Sequence, residues 1–238
     1  MDLTQKTLSI IIPVYNEKDT IIDLLGLVER VELIGMKKEI IIIDDCSTDG
    51  TIEILKKLAN KYKIFFKDKN GGKGSALKQG FLLSTGDFVL VQDADLEYDP
   101  EEYASLLEPL VRDKADVVYG SRFMGNRPHR VLYFWHYLGN RFLTLFSNIF
   151  TNLNLSDMET CYKVFNRFAL DKIKNKLTSN RFGIEPEMTA LVARNDLRIY
   201  EIGISYFGRT YQEGKKIGWK DGFSAIWSII KFNLIVRK

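Results

Sequence analysis

The sequence is poor in features that assign a protein at a glance. Its two cysteines, Cys46 and Cys161, lie far apart and lack C-x-x-C spacing. That excludes a disulfide scaffold and predicts two reduced thiols in a cytoplasmic protein. Long apolar runs are also missing. Leu8–Val14 is too short for a secretory leader and stops at Pro13-Val14-Tyr15. The greasiest stretches, Val131–Phe150 and Phe223–Val236, are broken by His136, Asn140 and Arg141 and by Lys231. A membrane span needs roughly 20 nearly uninterrupted apolar residues. Nor does one charge dominate: 34 Lys and Arg face 31 Asp and Glu, a net +3 spread along the chain, so nucleic acid is not an expected partner. No repeat, low-complexity tract or linker divides the chain. Residues 1–238 are therefore read as one unit, long enough to bury a core without staples. With 45% apolar and 27% charged residues, disorder, coiled coil and collagen are excluded as well.

What is present alternates between two periods. Strands are expected at Leu8–Val14, Glu39–Asp45, Lys63–Phe66, Asp87–Asp93 and Ala115–Tyr119. Helices are expected between them at Thr20–Leu33 with Asp19 as cap, Thr51–Tyr62 behind Ser47 or Asp49, Gly74–Leu83, and Pro100–Arg112. This rhythm means βαβ units and a mainly parallel α/β sheet flanked by helices. The second half is less regular. It is read as a helix or helix pair over Arg130–Thr151, a strand at Cys161–Phe165, a helix at Ile184–Ala193, a strand at Leu197–Ile204, a basic loop at Gly208–Gly218 and a last amphipathic helix at Asp221–Val236.

Open parallel sheets bind ligands at the carboxyl ends of their strands, and here every such end is polar. The first delivers Pro13-Val14-Tyr15-Asn16-Glu17 and the second Asp44-Asp45-Cys46-Ser47-Thr48-Asp49-Gly50. The third is followed by Asn70-Gly71-Gly72-Lys73-Gly74, the fourth by Asp93-Ala94-Asp95-Leu96-Glu97 and the fifth by Gly120-Ser121-Arg122. Two carboxylates one residue apart, Asp93 and Asp95, suit a hard divalent ion, Mg²⁺ or Mn²⁺, with Glu97 able to add an oxygen. Asp44 and Asp45 suit the hydroxyl and N–H donors of a nucleoside. A glycine cluster with Lys73 and Gly74 at a helix start suits a diphosphate. It is not a Walker A loop, because Lys73 is followed by Gly74 rather than Ser or Thr. No dinucleotide fingerprint follows the first strand.

These four motifs in this order resemble the family 2 glycosyltransferases of the GT-A (Rossmann-like) fold. The resemblance implies that the first two motifs hold the nucleotide of a sugar donor, through Pro13, Tyr15, Glu17, Asp44 and Asp45. Asp93 and Asp95 would then hold the metal on its diphosphate, beside Lys73 and Gly74. Asp95-Leu96-Glu97, Gly120-Ser121-Arg122-Phe123, Ser156–Lys163 and Gly208-Arg209-Thr210-Tyr211 further resemble the polyprenyl-phosphate branch, that of the dolichyl-phosphate mannose synthases. Two departures stand out. Glu97 replaces the branch's usual Gln, and Cys161-Tyr162 replaces a Gly-Phe pair.

The resemblance implies a metal-dependent, inverting transfer of a hexose from GDP-mannose or a UDP-hexose to a polyprenyl phosphate. Residues 1–122 would form the donor half and 123–238 the acceptor half. Arg122, Arg130, Arg209, Lys215 and Lys216 are the candidate cations for the acceptor phosphate. Asp157 would either orient an arginine or take a proton. The two aromatic, basic stretches are expected to lie on a membrane surface, placing the enzyme peripherally on the inner face, unless they pack on each other, a second copy or a membrane-protein partner. Two other readings compete. One is transfer to a saccharide hydroxyl, with Asp157, Glu185 or Glu187 as base. The other is a nucleotide-binding module without turnover.

Overall fold

The two isoleucine runs settle side by side at the middle of one sheet. Strands β1 (Lys6–Val14) and β2 (Met36–Asp44) pair in parallel, with Ile10–Ile12 opposite Ile40–Ile42. Ile10–Ile12 and Ile41–Ile43 are fully buried, as expected of a strand covered on both faces. This computed structural model describes residues 6–33, 35–125, 127–131, 133–210, 212–213 and 219–236.

The remaining elements follow in chain order. Helix α1 is Ile21–Arg30 and α2 is Thr51–Lys57, followed by β3 at Lys63–Phe66 and α3 at Lys73–Leu83. Next come β4 at Phe88–Val91, a 3₁₀ turn at Pro100–Glu102 leading into α4 at Tyr103–Val111, and β5 at Val117–Ser121. The second half supplies α5 (Phe134–Thr151), β6 (Lys163–Asn166), α6 (Arg167–Ile173), α7 (Ile184–Arg194), β7 (Ile199–Gly203) and α8 (Trp219–Ile230), which runs on as a π turn over Lys231–Ile235.

Several expected boundaries move, each for a local reason. Helix α1 stops at Arg30 because the Lys38 ammonium takes the carbonyls of Val28, Glu29 and Val31 at 2.7–2.8 Å, satisfying acceptors that a helix end leaves open. Thr20, not Asp19, occupies its cap position. Helix α2 ends at Lys57 rather than Tyr62, and its start is held by Asp49, which accepts the Thr51 N–H at 3.0 Å. Helix α5 begins at Phe134 rather than Arg130, whose N–H is already given to the Tyr206 carbonyl. Helix α6 was not expected. It is started by Asn166, whose side chain accepts the Ala169 N–H at 2.8 Å.

The strand order is β3-β2-β1-β4-β6-β5-β7. Two features of this order make the site. The chain winds outward from β1 to β3, then returns to the other side of β1 as β4. The ends of β1 and β4 therefore diverge and leave a crevice. Strand β6, in contrast, is antiparallel to both β4 and β5. Its leading end thus lies where its neighbours' trailing ends lie, and the segment before it, 156–162, reaches the same edge.

Candidate active site

At that edge the chain turns sharply out of three strands. Asn16, Cys46 and Leu96 follow β1, β2 and β4 with φ of 54°, 64° and 62°. This left-handed region costs a non-glycine residue roughly 1–2 kcal/mol. The turns aim the acids at a cavity of about 860 Å³, which is lined by Glu17, Asp45, Lys73, Asp93, Asp95 and Glu97 at one end and by Arg122, His129, Arg130, Tyr133, Phe134 and Tyr137 toward the other.

The carboxylates of β2 and the glycine loop serve each other. Asp45 accepts the N–H groups of Gly71 at 3.0 Å and Gly72 at 2.6 Å and pairs with Lys67. These N–H groups, expected to face a diphosphate, are thus turned onto Asp45. Asp44 is fully buried and accepts the Ser47 N–H at 3.1 Å, which shapes the turn. Burial raises its pKa above the ordinary carboxylate value. It does not line the cavity, and neither does Gly74, where any side chain would meet the Ser179 carbonyl at 2.7 Å. Pro13, Tyr15 and Glu17 do line it.

Lys73 bridges two acids, Asp93 at 2.9 Å and Glu185 at 3.3 Å. Asp93 itself is fixed from behind. Its carbonyl accepts from the Gln92 amide at 3.0 Å, and the Gln92 Oε1 accepts the hydroxyls of Tyr103 and Tyr162, each at 2.7 Å. Asp95 lies 3.4 Å from the Arg209 guanidinium, which also reaches Glu17 at 3.3 Å. Glu97 is committed to the 206–209 segment: it accepts the Tyr206 hydroxyl at 2.9 Å and the Arg209 N–H at 2.6 Å. Arg209, expected on an acceptor phosphate, sits here among the acids of the donor end.

Burial, and then the charges of Asp93 and Glu97, push the Asp95 carboxyl up to about 7. Hard oxygen donors set this close together, in a site where burial and acidic neighbours hold one of them raised, fit a divalent cation. Among the described residues no three His, Cys, Asp or Glu side chains are grouped to hold an ion by themselves. The pair fits an ion whose other ligands are phosphate oxygens and water.

The opposite wall is built on one ion pair. Asp157 is fully buried, and both its oxygens accept from Arg122, at Nε and Nη2, each at 2.7 Å. Of the two roles expected for Asp157, this geometry matches orienting an arginine. Arg122 is sandwiched by rings, 5.4 Å from the Phe123 centroid and 5.3 Å from that of Tyr206. Arg130 pairs with Glu213 at 2.8 Å and with the Gly208 carbonyl at 3.2 Å. Lys215 and Lys216 lie outside the described residues. Gln92 and its two tyrosines were missed by sequence reasoning, because no single-sequence signal pairs residues 70 positions apart.

Residues 9–174 match the model of glycosyl transferase family 2. The chain belongs to that family. Among relatives of this family 2 chain is a dolichol-phosphate mannosyltransferase of Pyrococcus furiosus, 36% identical over 49% of this chain and 33% of the relative. A low-salt glycan biosynthesis hexosyltransferase of Haloferax volcanii is 31% identical over 96% of this chain and 53% of its own length. This chain thus spans about half, or less, of those two relatives. A UDP-N-acetylglucosamine–dolichyl-phosphate N-acetylglucosaminyltransferase of Methanococcus voltae is 23% identical over 98% of both chains. Among solved structures, glucosyl-3-phosphoglycerate synthase of Mycobacterium tuberculosis, crystallised with Mn²⁺, UDP and phosphoglyceric acid, superposes with a TM-score of 0.74 at 17% identity, over 98% of this chain and 81% of that one. The α/β fold expected for the family 2 chain is the one found.

Proposed function

We propose that this chain is a metal-dependent, inverting hexosyltransferase that moves a sugar from a nucleoside-diphosphate donor to a polyprenyl phosphate. One observation carries the reading. A single cavity runs from the Asp93/Asp95 pair, past Arg122 and Arg130, to the aromatic start of α5 at Tyr133, Phe134 and Tyr137. Those three zones match an anionic donor that needs a cation, an anionic acceptor head, and a hydrocarbon tail.

Asp93 and Asp95 would hold Mg²⁺ or Mn²⁺, and that ion would neutralise charge growing on the departing diphosphate. Pro13, Tyr15, Glu17 and Asp45 would border the nucleoside. Arg122, held rigid by Asp157, would orient the acceptor phosphate bidentately. A phosphate monoester is already ionised near neutral pH, so no side chain need remove a proton. Attack from the side opposite the leaving group inverts the anomeric centre.

The hydroxyl-acceptor reading needs a free base among Asp157, Glu185 and Glu187. Glu185 lines the cavity and is tied to Lys73 through one oxygen, and the other two are engaged. Asp157 is occupied by Arg122, and Glu187 accepts the N–H groups of Thr178 and Ser179 at 2.8 and 2.7 Å. The receiver-like, non-catalytic reading has no support in a family 2 chain.

Membrane contact belongs to the same proposal. Helices α5 and α8 pack on each other through Leu143, Ala225 and Ile229, with Met158 of the segment before β6 in the same cluster. Their other faces expose Phe134, Trp135, Phe142, Leu145 and Ile149, and Phe223 and Trp227. No described helix is long and apolar enough to cross a membrane. Such faces suit lying in a bilayer interface, from which a polyprenol enters the cavity.

The test incubates the chain and Mn²⁺ or Mg²⁺ with GDP-mannose, UDP-glucose or UDP-N-acetylglucosamine and a short polyprenyl phosphate. The expected product extracts into organic solvent and is labile to mild acid. Transfer only to saccharide hydroxyls, or to nothing, overturns the proposal.

A further inference from the structure

Below the Asp93/Asp95 pair, the cavity floor contains two acids that neither the metal pair nor the arginine wall uses. Glu185 stands in the first turn of α7 and is 4% exposed. One of its oxygens pairs with Lys73, while the other, Oε2, is buried without a hydrogen-bond partner. Glu159 approaches from the segment before β6, and its Oε1 is likewise buried and unpartnered. Both line the cavity, beside Cys161, Arg181 and Phe182. The cations near them are Lys73, Lys163, Arg122 and Arg181. Lys163, though, spends its ammonium on the carbonyls of Met158, at 2.9 Å, and Thr160.

A buried carboxylate oxygen left without a donor is costly, and an apolar side chain would fill the same space without that cost. Two side by side, on separate chain segments, are explained by a ligand that brings the donors. Their location says which ligand. Lys73 touches Asp93 and Glu185 at once, so Glu185 is one ammonium group away from the expected diphosphate site. The group attached to a diphosphate at that point is the sugar. The start of α7 is also rigid, because a side chain at Gly183 would meet the Ser228 hydroxyl of α8 at 2.4 Å.

We propose that Glu185 and Glu159 form the subsite that reads the ring hydroxyls of the transferred sugar, and that they select a neutral hexose against a hexuronic acid. The inference rests on the glycosyltransferase reading above. Each carboxyl accepts a sugar O–H where it now has no partner. A uronate at the same place would set its carboxylate beside Glu185, which already takes the Lys73 ammonium. Burial, with Glu185 next in weight, pushes Glu159 well above the usual carboxylate range.

The test is calorimetric titration of the full chain with Mn²⁺ and either UDP or UDP-glucose, GDP and GDP-mannose serving if guanine is the base. Wild type is compared with Glu185→Gln and Glu159→Gln, each checked by thermal melting. We expect each variant to bind the nucleotide sugar at least about tenfold more weakly while its affinity for the bare nucleotide stays within about threefold. Discrimination between UDP-glucose and UDP-glucuronate in kcat/KM is expected to fall at least about tenfold in Glu185→Gln. Equal loss of both ligands, or loss of neither, overturns the sugar subsite and leaves the transferase reading intact. A wild-type chain that binds no nucleotide sugar overturns both.

Discussion

The strand-end floor and the α5/α8 helix pair are opposites in how they satisfy their own chemistry. On the floor most charges have named partners: Asp45 has the glycine loop, Asp93 has Lys73, Asp157 has Arg122 and Glu97 has the 206–209 segment. On the helices the inner faces pack on each other while the outer rings stand in solvent, with Trp135 76% and Phe134 63% exposed. The floor is organised by the chain itself, whereas the outer faces of the helices are left open, which is what the proposed membrane contact uses. The difference separates chemistry, which demands fixed geometry, from docking, which demands only apolar area.

Four experiments sharpen or break that contrast. The largest effect is expected on the floor. Asp95→Ala should lower transfer about a thousandfold or more, with a normal melting curve, and retained turnover would remove Asp95 from the metal site. Next, Asp157→Ala strands the buried Arg122 and should cost about 3–5 kcal/mol in urea denaturation. A loss under about 1 kcal/mol would mean that the pair is not the buried bridge described here. Third, replacing Phe134 and Trp135 with serine should weaken vesicle binding about tenfold by flotation while sparing kcat with a short soluble acceptor. Equal loss in both assays would make the helices part of the floor.

The smallest effect is on pH dependence. The Asp95 carboxyl stands at about 7 in the folded chain against an ordinary value of 3.8. A raised acid stabilises the fold below about pH 4 and loses that contribution as pH climbs to about 7. Ligand-free Asp95→Asn should therefore melt a few degrees above wild type at pH 8, with the gap closing toward pH 5. A gap that is the same at both pH values would show that Asp95 is not held in the protonated form.

The same contrast governs what could be read from the sequence. The alternation of isoleucine runs with helical segments was legible because burial on both faces leaves a local pattern. The acids at strand ends were legible because topology alone fixes which edge they reach. Their partners were not. That Asp45 takes the Gly71 and Gly72 N–H groups, that Lys73 bridges Asp93 and Glu185, and that Arg209 sits among Glu17, Asp95 and Glu97 are all products of long-range packing. The reversed direction of β6 was hidden too, since a strand of four residues, Lys163–Asn166, carries no sign of orientation. The small α6 was overlooked because its start depends on a single Asn166 cap.

That one reversed strand has a larger meaning. In the proposed reading the metal pair and the residues bordering the nucleoside lie in the first ninety-seven residues, on strands that all point one way. In the same reading, what meets the incoming molecule includes a tether that enters from the contrary direction and whose strand pairs with none of the first three. On that proposal, such a chassis is one that can be refitted for new recipients while its hold on the donor stays as it was.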